Sequence, residues 1–256
     1  MYDQRKEDIF TLLEEKASLT VKELAETLGV SEMTVRRDLV KMEKEGVVQR
    51  SFGGASLAKG LILEQAIPMR AANMPAAKRR MAMLAADLVD NGDSVALDTG
   101  TTISELAKYI AKKNLFIFTS SVNIALAAAN GEAVVHLSGG QMNKSLFTLF
   151  GAAAEDYYKG LNYKYAFVGA AGVSMVAGVT EFKEDAAALK RTMLSQAKIK
   201  VLLADHTKFA EDKLFRAVGL EVFDILITDR MPSEEYLDFF HTNDIKVIIA
   251  KAKEEG

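Results

Sequence analysis

The chain has 256 residues, with 32 Lys and Arg against 35 Asp and Glu, a net charge of −3, no cysteine and three histidines. The missing cysteines exclude a disulfide framework and cysteine-based zinc fingers, and His136, His206 and His241 have no close metal-ligand spacing, so no structural metal is expected. No stretch is long and apolar enough to span a bilayer, and Asp3, Glu7 and Asp8 stand where a signal peptide needs a positive start, so a cytoplasmic protein with no membrane partner is expected.

An opening helix with Ile9, Leu12 and Leu13 facing inward leads to residues 20–39, TVKELAETLGVSEMTVRRDL. Thr20 with Glu23 three residues later is a capping box, in which the hydroxyl accepts from a first-turn N–H and the carboxylate returns to the cap N–H. The pattern predicts a first helix over 21–28, a turn at Gly29, Val30 plugging the gap between helices, and Ser31 capping a second helix that runs to about Glu45 before Gly46. That is a helix-turn-helix, the arrangement that lays one helix in a DNA major groove. On the second helix Val35, Leu39 and Met42 share a narrow inward arc, whereas Met33, Thr34, Arg36, Arg37, Val40, Lys41 and Lys44 spread over the opposite side. Glu32, Asp38, Glu43 and Glu45 are expected on the flanks. Val47 to Arg50 reads as a strand and Gly53-Gly54 as a hairpin turn, completing a winged helix-turn-helix in which Arg50 reaches a phosphate.

Most amphipathic helices with outward cations are merely solvated. Here two caps, one turn glycine and a following hairpin argue for DNA, with Thr20, Ser31, Met33, Thr34, Arg36, Arg37, Lys41 and Arg50 as the contact set. Residues 31–50 hold five cations and four anions, a surplus of one. A single such module offers few phosphate contacts, so the chain is expected to pair with itself across half-sites, as a homodimer or homotetramer.

The same residues resemble the DeoR-type bacterial transcriptional regulators. The family's N-terminal pattern is present as Arg5, Glu23-Leu24-Ala25, Val30-Ser31, Thr34-Val35-Arg36-Arg37-Asp38-Leu39, Gly46, Arg50 and Gly53-Gly54-Ala55. Ser51-Phe52 departs from it, standing where a basic residue or histidine often precedes the glycines. Residues 1–57 are therefore expected to form the DNA-binding domain and 58–75, which holds Pro68 and Pro75, a linker with a short element around Leu61 to Leu63.

Residues 76–256 are expected to form a larger effector domain, opening on an alanine-rich helix over 76–89. From there short apolar strands alternate with helical segments, which predicts a mostly parallel α/β sheet with strands near 94–97, 115–118, 133–137, 165–168, 200–204, 225–228 and 246–249. Ligands of such sheets collect beyond the strands' C-terminal ends. The first strand ends in Asp98-Thr99-Gly100-Thr101-Thr102 and the second in Thr119-Ser120-Ser121, two hydroxyl-rich turns opening helices, where backbone N–H groups face an oxyanion. Gly169, Lys190, Asp205 and Lys208 complete a candidate pocket in which carboxylates suit sugar hydroxyls and lysines suit a phosphate. Plain helix capping and solvent-facing loops are the competing readings for these residues. His206 and the Gly139-Gly140 pair read as structural.

The resemblance extends over this second region. It implies a ribose-5-phosphate-isomerase-like effector domain that senses a phosphorylated sugar or sugar alcohol, with Lys78, Asp98, Thr99, Gly100, Thr101, Thr102, Ser120, Ser121, Gly169, Lys190, Asp205 and Lys208 as binding residues. Ser120 stands where the family often has Asn. An enzyme reading, a sugar-phosphate isomerase with an appended DNA-binding domain, needs a carboxylate base, which the isomerases that this domain resembles carry after the strand corresponding to the one that ends at Val168. Residues 169–173 are Gly-Ala-Ala-Gly-Val and hold none, so sensing rather than catalysis is expected, with no cofactor. Neither a G-x-G-x-x-G after a strand nor a Walker-type motif occurs.

Overall fold

Val35, Leu39 and Met42, spaced for one face of a helix, are all buried in the computed structural model, against Ile9, Leu13, Leu24 and Val48. The structure describes residues 5–251 apart from 7, 10, 11, 14, 15, 17, 45–47, 52, 58–66 and 145. The chain divides into two units, Met1–Gln65 and Ala66–Gly256. Glu45, Gly46, Val47 and the element expected around Leu61 to Leu63 fall outside the described residues.

In the first unit, strand β1 (Ser18–Thr20) runs into helix α1 (Val21–Leu28), followed by α2 (Glu32–Lys44), β2 (Val48–Ser51) and β3 (Gly54–Leu57). The three strands form one antiparallel sheet in the order β1-β3-β2. The capping box forms in full: Glu23 N–H donates to the Thr20 hydroxyl at 3.2 Å and Thr20 N–H donates to the Glu23 carboxylate at 2.8 Å. These bonds hold the Glu23 carboxyl below its usual range. Gly29 ends α1 at φ 65, a left-handed conformation that suits glycine. The Ser31 hydroxyl then accepts from Thr34 N–H at 3.2 Å, starting α2. At Gly54 a Cβ would stand 2.5 Å from the Leu19 carbonyl oxygen, so β3 approaches β1 as closely as it does because no side chain intervenes.

The second unit starts with helix α3 (Ile67–Ala72), so that part of the expected linker is structured and belongs to this unit. Helix α4 (Pro75–Ala86) follows, with Pro75 in its first turn, where a missing N–H costs nothing. Seven strands form one sheet in which every pairing is parallel: β4 (Ser94–Leu97), β5 (Phe116–Thr119), β6 (Val134–Leu137), β9 (Tyr163–Val168), β12 (Ala197–Leu203), β14 (Ile225–Thr228) and β15 (Lys246–Ile249). They are the seven runs expected from the sequence: 94–97, 225–228 and 246–249 coincide with it, and the other four are displaced by one to three residues at one or both ends. Side chains alternate across the sheet, Phe167, Val201 and Leu203 entering one core while Val168 and Leu202 enter the other. The first core is closed by α4, α5 (Thr101–Ile110) and α6 (Val122–Ala128). The second is closed by α7 (Ala152–Lys159), α8 (Glu184–Ser195) and α9 (Glu234–Thr242).

Strand order across the sheet is β15-β14-β12-β9-β4-β5-β6. The chain therefore steps outward from β4 through β5 to β6, returns to β9 beside β4, and then steps the other way. Between β4 and β9 the direction reverses, and the helices leaving those strands part to opposite faces, which opens a crevice at their C-terminal ends. A ribbon, β7 (Gln141–Asn143) with β8 (Thr148–Phe150), and a small antiparallel sheet of β10 (Gly172–Ser174), β11 (Gly178–Glu181) and β13 (Phe215–Val218) were not among the expected strands. Each is three or four residues long, too short to show a periodicity.

Leu39 is 1% exposed at the centre of the small first core. Leu39→Ala is expected to destabilise that unit by about 2–5 kcal/mol. In urea unfolding followed by limited proteolysis, cleavage within residues 1–65 should move to lower denaturant while cleavage within 66–256 stays in place.

Candidate functional site

In the first unit the outward face of α2 carries Met33, Arg36, Arg37 and Lys41, all exposed, with Thr34 half-buried and its hydroxyl 2.9 Å from that of Ser31. Arg36 is tethered to Glu32 one turn back at 3.2 Å. Arg50, expected to reach a phosphate from the wing, lies beside α2: its Nε donates to Glu43 at 2.7 Å, which keeps the Glu43 carboxyl below its usual range. Glu43 thus ties the wing to the helix. Arg36, Leu39, Glu43, Arg50, Ser51 and Gly53 line a cleft of about 300 Å³ between helix and hairpin. Asp38 corrects a sequence expectation. It is 1% exposed rather than on a flank, and its Oδ2 accepts from Arg5 Nε at 2.8 Å, locking the N-terminal segment against α2. A surface carboxylate and a buried one occupy equivalent places on a helical wheel, and only the arrival of Arg5 distinguishes them.

In the second unit the switch-point crevice gathers residues from several elements. Asp98, at the end of β4, accepts from Gly169 N–H at 3.1 Å across the reversal. Lys190, on α8, places its Nζ 2.8 Å from Asp98 Oδ2, 2.5 Å from Glu181 Oε1 and 2.5 Å from the Gly169 carbonyl oxygen. Lys190 is 2% exposed, so the phosphate-facing cation expected from the sequence is instead a buried charge held by two carboxylates. Burial opposes its charge, but Asp98 and Glu181 outweigh that and raise its pKa. Burial pushes the Glu181 carboxyl up, Lys190 pulls it back and Asp98 adds to the rise.

The first hydroxyl turn is open. Gly100 caps α5 at φ 124 with no side-chain cap bond, leaving the first N–H groups of a ten-residue helix to an outside acceptor. Thr99, Thr101 and Thr102 are half-buried around it. Arg70 comes over this turn, with a guanidinium nitrogen 3.5 Å from where a Gly100 Cβ would stand. Its carbonyl accepts from the Thr101 hydroxyl at 3.4 Å and from Lys78 Nζ. Burial lowers the Lys78 pKa to about 8, with Lys208 and Arg70 adding to the drop and Asp205 opposing it. Lys208 is lowered in the same way, by burial first and then by Arg70 and Lys213. Three cations therefore converge on one uncapped helix start. Asp205 is buried among them, one oxygen used by Thr207 N–H at 3.0 Å. Beside this cluster Lys78, Arg79, Thr101 and Glu105 line a cleft of about 100 Å³.

The second hydroxyl turn is used internally. Thr119 donates to the Leu97 carbonyl at 2.9 Å, and the Ser121 hydroxyl accepts from Ile124 N–H as an ordinary cap. Ser120 is buried beside the Tyr158 hydroxyl. His206, expected to be structural, has its backbone N–H and its ring Nδ1 each 2.7 Å from Asp229. No cluster of three or more metal-capable side chains occurs among the described residues, and none of their helices is long and apolar enough to cross a membrane. Arg70 and Glu181 were missed because one lies in what reads as a linker and the other on a strand too short to recognise.

A family model for a DeoR-like helix-turn-helix domain matches residues 5–60, and one for the DeoR C-terminal sensor domain matches 73–230. The chain is 30% identical to the HTH-type transcriptional repressor GlcR of Bacillus subtilis over 98% of each chain. It is 26% identical to the HTH-type transcriptional repressor CsqR of Escherichia coli over 96% of this chain and 94% of that one. Among solved structures, ribose 5-phosphate isomerase A of Neisseria gonorrhoeae aligns at a TM-score of 0.40 and 17% identity, over 52% of this chain and 53% of that one. Full-length relatives named as regulators make this chain a DNA-binding regulator rather than an isomerase. The chain belongs to the DeoR family of helix-turn-helix transcriptional regulators.

Proposed function

We propose that the chain is a cytoplasmic repressor of a sugar-utilisation operon, that it holds double-stranded operator DNA as a homodimer or homotetramer, and that a phosphorylated sugar or sugar alcohol modulates this binding. Residues 1–57 read DNA, 58–75 carry the connection, and 76–256 with Arg70 bind the effector. Arg36, Arg37 and Lys41, with Met33 and Thr34, enter the groove, while Thr20, Ser31 and Arg50 lie along the backbone path. In the effector unit the phosphate sits on the start of α5, at Thr99, Gly100, Thr101 and Thr102, facing Arg70, Lys78 and Lys208. Sugar hydroxyls lie toward Asp98, Asp205, Ser120, Ser121 and Gly169, with Lys190 holding Asp98 in place.

One observation carries the effector reading: Arg70, Lys78 and Lys208 gather at an uncapped helix N-terminus, where burial, with the two neighbouring cations adding to it, lowers the Lys78 pKa to about 8. Like charges gathered in a half-buried site are stabilised by an anion, and a phosphate dianion supplies both charge and acceptors. Coupling of about 1–3 kcal/mol between this site and the DNA-reading units is enough for a switch.

Arg36→Ala or Arg37→Ala should weaken operator binding in gel retardation by about 1–3 kcal/mol if the side chain reads a guanine, without changing the thermal shift given by sugar phosphates. Lys78→Ala should do the opposite, removing the thermal shift while ligand-free DNA binding persists. A pocket variant that folds but no longer binds DNA without ligand would contradict the two-module reading.

The depressed Lys78 also sets a pH dependence. In the ligand-free fold Lys78 loses its proton near pH 8, whereas unfolded lysine keeps it to about 10.4. The unfolded state therefore binds more protons between those values, and stability of the ligand-free protein should rise with pH there. Phosphate favours the protonated form, so above about pH 8 binding should take up a proton and affinity should fall as pH rises. Calorimetry in buffers of different ionisation enthalpy measures that uptake, and Lys78→Met should abolish it.

A further inference from the structure

Helices cover both faces of the large sheet over most of its width, and at β6 the cover stops on one of them. β6 is an edge strand, so half of its backbone N–H and C=O groups meet no other strand. Val134, His136 and Leu137 are exposed, whereas Val135 on the other face is half-buried against the core that α6 closes, so the strand is open on the face of Val134 and His136 as well as along its edge. The layer of α7, α8 and α9 that buries Val168 and Leu202 leaves this end of the same sheet face uncovered. Phe116, the register partner of Val134 on β5, is 45% exposed. Phe118 is half-buried, with its ring stacked on His136 at 4.9 Å between centroids. The ribbon that follows β6 adds Met142 and Phe147, both exposed.

Edge strands ordinarily carry a guard of charge, proline or a bulge that keeps other strands away. The opposite edge, β15, begins with the exposed Lys246, and exposed Lys251 follows close behind it. β6, Val-Val-His-Leu, has no charged residue and no proline. Its exposed apolar residues together with Phe116, Met142 and Phe147 present roughly 400 Å². That is about half of the ~800 Å² that each partner brings to a standard interface, before the open backbone and His136 are counted.

We propose that β6 pairs antiparallel with β6 of a second copy of this chain, about a two-fold axis perpendicular to the sheet. The inference rests on the reading above that copies pair over operator half-sites, and it names the surface that pairs them. Charge and symmetry select the occupant. An uncharged strand meets its own copy without the like-charge penalty that a lysine-bearing edge would incur. A perpendicular two-fold keeps each sheet face on its own side, so the Phe116 and Val134 ledges of the two copies join into one apolar floor. Such an interface is isologous and closes on itself, as DNA half-sites related by two-fold symmetry require. Residues of equal parity face each other across the axis, which therefore lies at Val135 or at His136.

The test uses the full chain. Val134→Lys combined with Leu137→Lys alters exposed positions only and should keep the wild-type melting profile. In sedimentation velocity it should halve the mass of the assembly, and in gel retardation it should weaken operator binding by tenfold or more. Val176→Lys, at an 87% exposed position between β10 and β11, should do neither. Because the chain has no cysteine, Val135→Cys and His136→Cys introduce single thiols, and one of the two should form a disulfide-linked dimer under mild oxidation. A wild-type protein that pairs but whose mass survives the double lysine variant, with neither cysteine cross-linking, overturns this surface alone. A wild-type protein that is monomeric on its operator overturns the paired-copy reading with it.

Discussion

A single buried ammonium organises the effector unit. Lys190 comes from α8, and the groups that hold it come from the ends of β4, β11 and β9: Asp98, Glu181 and the carbonyl of Gly169. A charge removed from water without partners costs several kcal/mol, so these chain segments are stable only when they arrive together. The Lys190 site therefore sets the spacing of the loops on both sides of the strand-order reversal, where the crevice opens. It also determines what Asp98 can offer, since Lys190 and Gly169 N–H engage the same oxygen, Oδ2.

The charges around the crevice are consequently polarised. One side holds two carboxylates sharing one lysine, and the other holds Arg70, Lys78 and Lys208 around Asp205. A ligand with a phosphate at one end and hydroxyls along its length has a preferred direction in such a field. The cationic side is also where α5 begins without a cap, so backbone dipoles and side chains act in the same sense. Nearby, the hydroxyls of Thr119 and Ser121 hold the backbone of their own turn. They shape the crevice rather than fill it.

Acidic residues organise the DNA-reading unit as well. Asp38 anchors Arg5 from inside the fold, Glu43 holds Arg50 and the wing, and Glu32 restrains Arg36. Each of these contacts costs the unit part of its attraction for phosphate and returns a fixed geometry. The helix that results is well placed and weakly charged, so a single copy offers few phosphate contacts.

Short-range patterns were legible in the sequence wherever one segment contains its own cause. The Thr20–Glu23 capping box, the turn at Gly29, the inward arc of Val35, Leu39 and Met42, and all seven strands of the parallel sheet could be read directly, because spacing and hydrophobic run length act within a few residues. The DeoR-type pattern lies in the same local signals. Tertiary structure decided which polar side chains are spent on the fold and which remain at a surface. Asp38 and Lys190 read as surface charges and are buried, Arg70 reads as linker and reaches the crevice, and Glu181 gives no sign of its role. Burial and ion pairing join residues as far apart as 5 and 38, or 98 and 190, and no local periodicity encodes the partner that makes a charge tolerable in the interior.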